Sequence, residues 1–332
     1  MDRIKGLKEY VECERFRKAL GLPDVVEEQY YFLAQGEYNI NYQFIHPVSG
    51  KKLLLRVNCG SQMHLENQIE YEYRALKLLE KSGRTPQVYY VDGNRKQMNY
   101  GVMVMEFLPG AALNYRTDLS LAAECLADIH SVKLDGASGL IAPKLPLKAI
   151  LDECEEMFRV YWNSPFAQDE KKKKIRRMLD EGWKKIQTAD MENIYRCCIN
   201  TELNSTNFLI NGAGYPNYLI DWEKPVYGDP AQDLAHFLAP TTTFWKTDVI
   251  LSRQEREQFI NEYMEKANRR ISVNGLKERT EIYIPVTCLR GVTWCAMAWV
   301  QYRQPDKLIF NESTFRKLEA YLEDSFLENL AN

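Results

Sequence analysis

The chain has 332 residues and a formal net charge of −3, from 43 basic and 46 acidic side chains. With 45% hydrophobic and 27% charged residues it can bury a sizeable core, over about two domains on ordinary size grounds. That balance offers no basic surface for nucleic acid or a membrane, and no apolar run approaches the ~18 residues of a membrane span. The opening Met1-Asp2-Arg3-Ile4-Lys5 is charged where a leader would be apolar. Eight cysteines lie without metal-ligand or disulfide spacing, which predicts reduced thiols in a cytoplasmic protein. Nothing in the pattern specifies an oligomer.

Residues 1–20 predict one amphipathic helix, closed by Gly21-Leu22-Pro23. Short strands follow. Phe32-Leu33-Ala34 and the alternating Ile40-Asn41-Tyr42-Gln43-Phe44 flank a turn at Gly36. Backbone N–H groups in such a turn can bind phosphate oxygens, or the turn simply closes a hairpin. Lys52-Leu53-Leu54-Leu55-Arg56-Val57 is an apolar strand carrying an Arg, which on its own also reads as a snorkelling edge residue. Residues 63–81 predict a helix, because Leu65, Ile69, Glu72, Leu76 and Leu79 recur at helical spacing on one stripe. Glu72 is then a carboxylate on an apolar face. It needs a cation, and Arg56 is the partner on offer. Thr85-Pro86 ends the helix, and strands are predicted over 88–91 and 100–107 about a turn at Asp92-Gly93-Asn94. Pro109-Gly110 then marks a boundary between an N-terminal part, 1–108, and a C-terminal part, 109–332.

From Ser120 the pattern is mainly helical, with helices predicted over 121–131, 147–162, 171–188, 253–267, 279–304 and 312–329. His130, near the end of the first, is read as structural and not as a base. Lys171-Lys172-Lys173-Lys174 has Asp169, Glu170, Asp180 and Glu181 nearby, which makes it a solvated helix face. Between these helices lies the most informative stretch, 195–233. Asn211-Gly212 and Gly214 separate two apolar runs, predicting a hairpin with strands over 208–210 and 218–220. Its open end brings Asn207 beside Asp221. An amide oxygen next to a carboxylate suits Mg²⁺, which takes hard oxygen ligands and leaves positions for water and phosphate. Glu202 sits in the preceding loop, able to face the same end. Asp229 before Pro230 has the pattern of a helix cap.

These residues carry a resemblance. Asn200-Thr201-Glu202, Asn207, Asp221-Trp222-Glu223 and Gly228-Asp229-Pro230-Ala231-Gln232-Asp233-Leu234-Ala235 resemble the catalytic core of the aminoglycoside phosphotransferase and choline kinase family. That family reads His-x-Asp-x-x-x-x-Asn before the hairpin. The chain departs from it twice, with Asn200 for the His and Glu202 for the catalytic Asp. The resemblance implies an α+β, protein-kinase-like fold of two lobes, a small antiparallel-sheet N-lobe and a mainly helical C-lobe. It implies that ATP and Mg²⁺ bind between them. It also implies phosphoryl transfer to a hydroxyl of a small molecule, such as choline or another amino alcohol, an aminoglycoside or a sugar.

By the same resemblance Glu202 accepts the hydroxyl proton, while Asn207 and Asp221 hold the metal. Arg56, steadied by Glu72, contacts the phosphates. Gly36 and Asn39 belong to the phosphate-covering loop, the main chain of Glu106 and Leu108 meets the adenine, and Asp233 braces the catalytic loop. The helix bearing Trp294 and Trp299 resembles the tryptophan-bearing C-terminal helix of choline kinases. Together with Trp245, these rings either offer cation–π faces to a quaternary ammonium or pack as ordinary core. Two function classes stay open. Glu keeps the charge of Asp but adds a methylene. That permits an active kinase with a Glu base, or a nucleotide-binding protein working as a sensor or interaction module.

Overall fold

The alternating segments of the first third form one antiparallel sheet. Its strands are β1 (Tyr31–Gln35), β2 (Asn39–Ile45), β3 (Lys52–Asn58), β4 (Val88–Asp92) and β5 (Gly101–Glu106), in the spatial order β1-β2-β3-β5-β4. The structure is a computed structural model and describes residues 4–187, 191, 194–304 and 311–331. Successive residues of β5 face opposite ways, and both faces are covered. Val102 and Val104 share a core with α1 (Leu7–Glu12) and α2 (Glu14–Leu20), whereas Met103 and Met105 share one with α3 (Gln68–Leu79).

The single helix expected over 1–20 is two helices, and residues 1–3 lie outside the described residues. Cys13 is extended, with φ −68° and ψ 143°, and turns the chain between them. Tyr10 and Phe16 thereby both reach the sheet, their ring centroids 5.6 Å apart. α3 starts later than the apolar stripe suggests. Leu65 lies in the turns before it, where its N–H donates to Ser61 Oγ at 2.8 Å, and Asn67 caps the helix by accepting the Glu70 N–H at 3.4 Å. Such side-chain bonds compete with further helix.

The rest is mainly helical: α4 (Leu119–His130), α5 (Pro146–Trp162), α6 (Asp169–Ile186), α7 (Pro230–Leu238), α8 (Pro240–Thr247), α9 (Arg253–Ala267), α10 (Leu276–Tyr302), α11 (Glu312–Tyr321) and α12 (Asp324–Ala331). Thr188, the expected end of α6, lies outside the described residues. The helix expected over 312–329 is interrupted after Tyr321, whose buried ring packs against Phe244 and Phe326. α10 is the axis, packing on α5, α6, α7, α8 and α11. A Cβ on Gly291 would stand 2.7 Å from Thr241 Cβ, so glycine here lets α8 lie close against α10. The larger core runs unbroken from α3 and β5 into these helices. Among the described residues, no helix is long and apolar enough to cross a membrane.

β6 (Ala111–Ala112), β7 (Cys197–Ile199), β8 (Phe208–Ile210), β9 (Tyr218–Leu219) and β10 (Val226–Gly228) make two small sheets, β6-β8-β9 and β7-β10. β8 and β9 are the expected hairpin, with Phe208 opposite Leu219. Its turn is built around buried Asn217, which accepts the N–H of Asn211 at 2.8 Å and of Gly212 at 3.2 Å. Gly110 has φ 141°, and a Cβ there would meet the Leu209 carbonyl carbon at 2.7 Å. Only glycine allows that approach.

Candidate active site

Arg56 lies on β3, opposite Asn41 on β2 and Met103 on β5. Its Nη1 makes a buried ion pair with Glu72 on α3, and its Nε donates to Asn41 Oδ1 at 3.1 Å. The same Nη1 stands 3.9 Å from Asp221 Oδ1. The second Glu72 oxygen is buried without a hydrogen-bond partner. Burial, opposed by Arg56 and reinforced by Asp221, pushes the Glu72 carboxyl up to about 7. Burial and Asp221 likewise raise Glu223. Three carboxyl groups therefore crowd one cation.

The hairpin ladder continues past β9, where the Ile220 N–H donates to the Asn207 carbonyl at 2.8 Å. Asp221 is the next residue. Its φ is 66°, its carboxylate is 45% exposed, and its carbonyl accepts Asn200 Nδ2 at 2.8 Å. A non-glycine residue with positive φ is held there by its surroundings. Asn207 Nδ2 donates to the Glu202 carbonyl at 3.2 Å, which leaves the amide oxygen for a cation. An amide oxygen and an accessible carboxylate, beside buried carboxyl groups short of positive charge, are a donor set that fits Mg²⁺. Among the described residues, no group of three or more His, Cys, Asp and Glu is arranged to hold a metal. A metal here would draw its remaining ligands from phosphate and water.

The loop before the hairpin is pinned from below. Asp233 on α7 accepts the N–H groups of Asn200 and Thr201, each at 2.7 Å. His130 is fully buried between Asp233, at 3.2 Å, and the Tyr263 hydroxyl, at 2.9 Å, which is a structural position. Asp229 caps α7 by accepting the Ala231 N–H at 3.0 Å and pairs with Arg279 at 2.6 Å. Thr201 has φ 71°, an outlier for a β-branched residue, and its hydroxyl donates to the Lys224 carbonyl at 2.8 Å. Asn200, in the place of the family His, accepts the Glu202 N–H at 3.1 Å. The Glu202 carboxylate meets Lys224 Nζ at 3.0 Å, Gln62 Nε2 at 3.4 Å and Arg290 Nη2 at 3.7 Å, all through Oε1. Burial opposes its ionisation, but Lys224 and Arg290 outweigh burial and hold the carboxyl below the usual range.

Beside Glu202 opens a cavity of about 320 Å³, lined among others by Glu153, His236, Trp245, Arg290 and Trp294. Trp245 and Trp294 meet edge to face at 5.4 Å, and Trp294 is 42% exposed. Arg290 lies one turn before Trp294 and donates to Glu153 at 2.8 Å through Nε. Burial and the Arg290 charge push His236 down to about 4, so it is neutral near pH 7.

The family model described as the phosphotransferase enzyme family matches residues 31–268. The chain belongs to that family. No curated protein matches it. Solved structures share its fold at low identity. An ethanolamine kinase of Plasmodium vivax is 17% identical, with a TM-score of 0.64 over 97% of this chain and 89% of that one. A choline kinase from Cryptosporidium parvum Iowa II is 15% identical, with a TM-score of 0.67 over 98% of this chain and 96% of that one. A spectinomycin phosphotransferase solved with ADP and spectinomycin is 12% identical, with a TM-score of 0.61 over 93% of each chain.

Within this phosphotransferase, Arg56 meets Glu72 and Asp221, and Asn207 joins the Asp221 end of the hairpin to the Glu202 main chain. Two expectations change, at Trp299 and at the Glu106 N–H. Trp299 does not line the cavity. It is buried against Tyr161 at 5.9 Å and under Arg303 at 4.2 Å, because five residues along a helix rotate a side chain by about 140° from Trp294. Asn39 is engaged at both ends of its amide: Nδ2 donates one N–H to Glu223, and Oδ1 accepts Asn58 Nδ2 at 2.9 Å. Gly36 does form an exposed tight turn, its N–H donating to the Asn39 carbonyl at 2.9 Å. The Glu106 N–H is already donated to Gln87 at 2.8 Å, so only its carbonyl is left for a base, with Leu108 just beyond. Lys224, Arg290 and Gln62 escaped the sequence reading. Arg290 had a signal, since it precedes Trp294 by one helical turn.

Proposed function

We propose that this family member transfers the γ-phosphoryl group of Mg-ATP to a hydroxyl of a small amino alcohol or amino sugar. The observation that carries the reading is Glu202. Its Oε1 takes Lys224, Gln62 and Arg290, while its other oxygen is left for a hydroxyl in the adjoining cavity. In the proposed step the acceptor hydroxyl gives its proton to Glu202 Oε2. The acceptor oxygen bonds to the γ-phosphorus, the bond to the ADP oxygen breaks, and ADP leaves. Asn207 and Asp221 would hold Mg²⁺, which supplies charge neutralisation across the phosphates. Arg56, oriented by Glu72, would contact phosphate oxygens with its free donors. The Gly36 turn, the Glu106 carbonyl and the Leu108 N–H would meet the rest of the nucleotide. The two lobes would divide at residues 108 and 109.

The edge-to-face Trp245 and Trp294 with Glu37 and Glu153 support an acceptor carrying an ammonium group. Ethanolamine, choline and spectinomycin, named for the structural neighbours, all have one or more such nitrogens. A second reading has its own observation: the ion pairs on Glu202 also suit a nucleotide-binding sensor that transfers nothing. The test is ADP release from Mg-ATP with choline, ethanolamine, spectinomycin and glucose, beside thermal unfolding with the nucleotide. Acceptor-dependent ADP release is expected. Nucleotide stabilisation of ~2.7 kcal/mol at hundredfold saturation, with no acceptor raising ADP release, would favour the sensor.

A further inference from the structure

We propose that Lys224 and Arg290 form a clamp that positions Glu202 and compensates for its extra methylene. The inference rests on the phosphotransfer reading above. A Glu in place of Asp carries one more rotatable bond, and it must lose that freedom before an oxygen can be held at a reacting hydroxyl. The protein removes it through a single oxygen. Lys224 Nζ at 3.0 Å, Gln62 Nε2 at 3.4 Å and Arg290 Nη2 at 3.7 Å all meet Oε1. Oε2 takes none of the three.

Neither cation is loose. Lys224 exposes 17% of its side chain, and its carbonyl accepts the Thr201 hydroxyl at 2.8 Å. One residue thus grips the loop by side chain and main chain together. Arg290 is itself held by Glu153, at 2.8 Å through Nε and 3.3 Å through Nη2. Thr201, immediately before Glu202, keeps a φ of 71° that a β-branched residue avoids unless its surroundings impose it. Arg290 also lies on α10 one turn before Trp294, so the helix that walls the acceptor cavity also fixes the base. Lys224 and Arg290 are positioning residues: they act through Glu202.

ATP hydrolysis, with water as the acceptor, tests the clamp without a known substrate. Water gives a proton to Glu202 Oε2, its oxygen bonds the γ-phosphorus, the bond to ADP breaks, and the products are ADP and inorganic phosphate. Lys224→Met should lower kcat about 100-fold, the cost of an ångström-scale misplacement, with KM for Mg-ATP unchanged. Lys224→Arg should recover most of the rate. In a Glu202→Gln background, Lys224→Met should cost nothing more, because the group it positions is gone. Equal losses in both backgrounds overturn the clamp. Glu202→Gln hydrolysing as fast as the unmodified protein overturns instead the base assignment beneath it. A thermal-unfolding cycle needs no turnover. Lys224→Met leaves a half-buried carboxylate short of a cation, and adding Glu202→Gln should restore Tm. Additive losses of Tm would also overturn the clamp.

Discussion

Arg56 and Glu72 meet with side chains only 10% and 2% exposed, whereas on the side proposed for the acceptor Trp294 leaves 42% of its surface in solvent. The proposed nucleotide side is a buried charge pair bridging β3 and α3. The proposed acceptor side is an open cavity edged by aromatic rings and cations. A buried pair cannot lose one member cheaply, so its residues are bound to the stability of the fold. An exposed ring can change with little cost to folding, so the acceptor side is free to vary among proteins sharing this fold. Each substitution below tests whether stability and chemistry separate along that line.

The largest effect on stability is expected from Glu72→Ala, which removes the closest carboxylate from buried Arg56 and leaves Asp221 at 3.9 Å and the more remote charge of Glu223. Urea unfolding should show a loss of about 3–5 kcal/mol, the usual cost of stranding one partner of a buried pair. A loss under 1 kcal/mol would mean that the pair is solvated. Asp221→Asn should do the reverse. It removes a carboxylate that pushes Glu72 up, and Asn tolerates the φ of 66°, so unfolding should change little or improve. Phosphoryl transfer should fall about 10²–10³-fold, and the Mg-dependent rise in Tm with nucleotide should vanish. Retained Mg-dependent stabilisation would remove Asp221 from the metal site.

How far the sequence exposed each side follows the same division. Glu72 and Arg56 were readable because a carboxylate on an apolar helical stripe demands a cation, and both signals are local periodicities. Asn207 and Asp221 were readable because a short hairpin fixes which residues meet at its open end. The clamp on Glu202 was not readable. It needs α10 folded back over the loop, and no short-range rule joins Arg290 to Glu202 across 88 positions. Trp299 misled for a related reason. α10 buries residues on several faces, so spacing alone did not distinguish the cavity wall from the core. Cys13 breaks the N-terminal helix without glycine or proline, and only the sheet beneath requires the turn.

A pH titration sharpens the comparison at intermediate magnitude. Glu72 and Glu223 have raised carboxyls, from the usual 4.5 toward about 7. In that window the folded protein binds more protons than the unfolded chain, so their contribution to stability falls as pH rises. Glu223→Gln should flatten the decline between pH 5 and pH 7.5 by roughly 1–3 kcal/mol, read by chemical denaturation at each pH. Identical slopes in both proteins would show that Glu223 titrates as an ordinary carboxyl.

The smallest effect on folding belongs to Trp294→Ala. The ring is 42% exposed and its named ring contact is the edge of Trp245, so unfolding should move by no more than about 0.5 kcal/mol. ATP hydrolysis should be unchanged, since Trp294 is not among the groups that hold Glu202, Asp221 or Arg56. The loss should appear in KM for an amino-bearing acceptor, by about tenfold, the order of one desolvated cation–π contact. Arg290 stands one turn away on the same helix and is paired to Glu153, so its ion pair should survive the loss of the ring. A fall in hydrolysis equal to the fall in acceptor use would break the comparison. It would mean that α10 transmits changes in the cavity wall to Glu202, and that the two sides of the cleft are one mechanical unit.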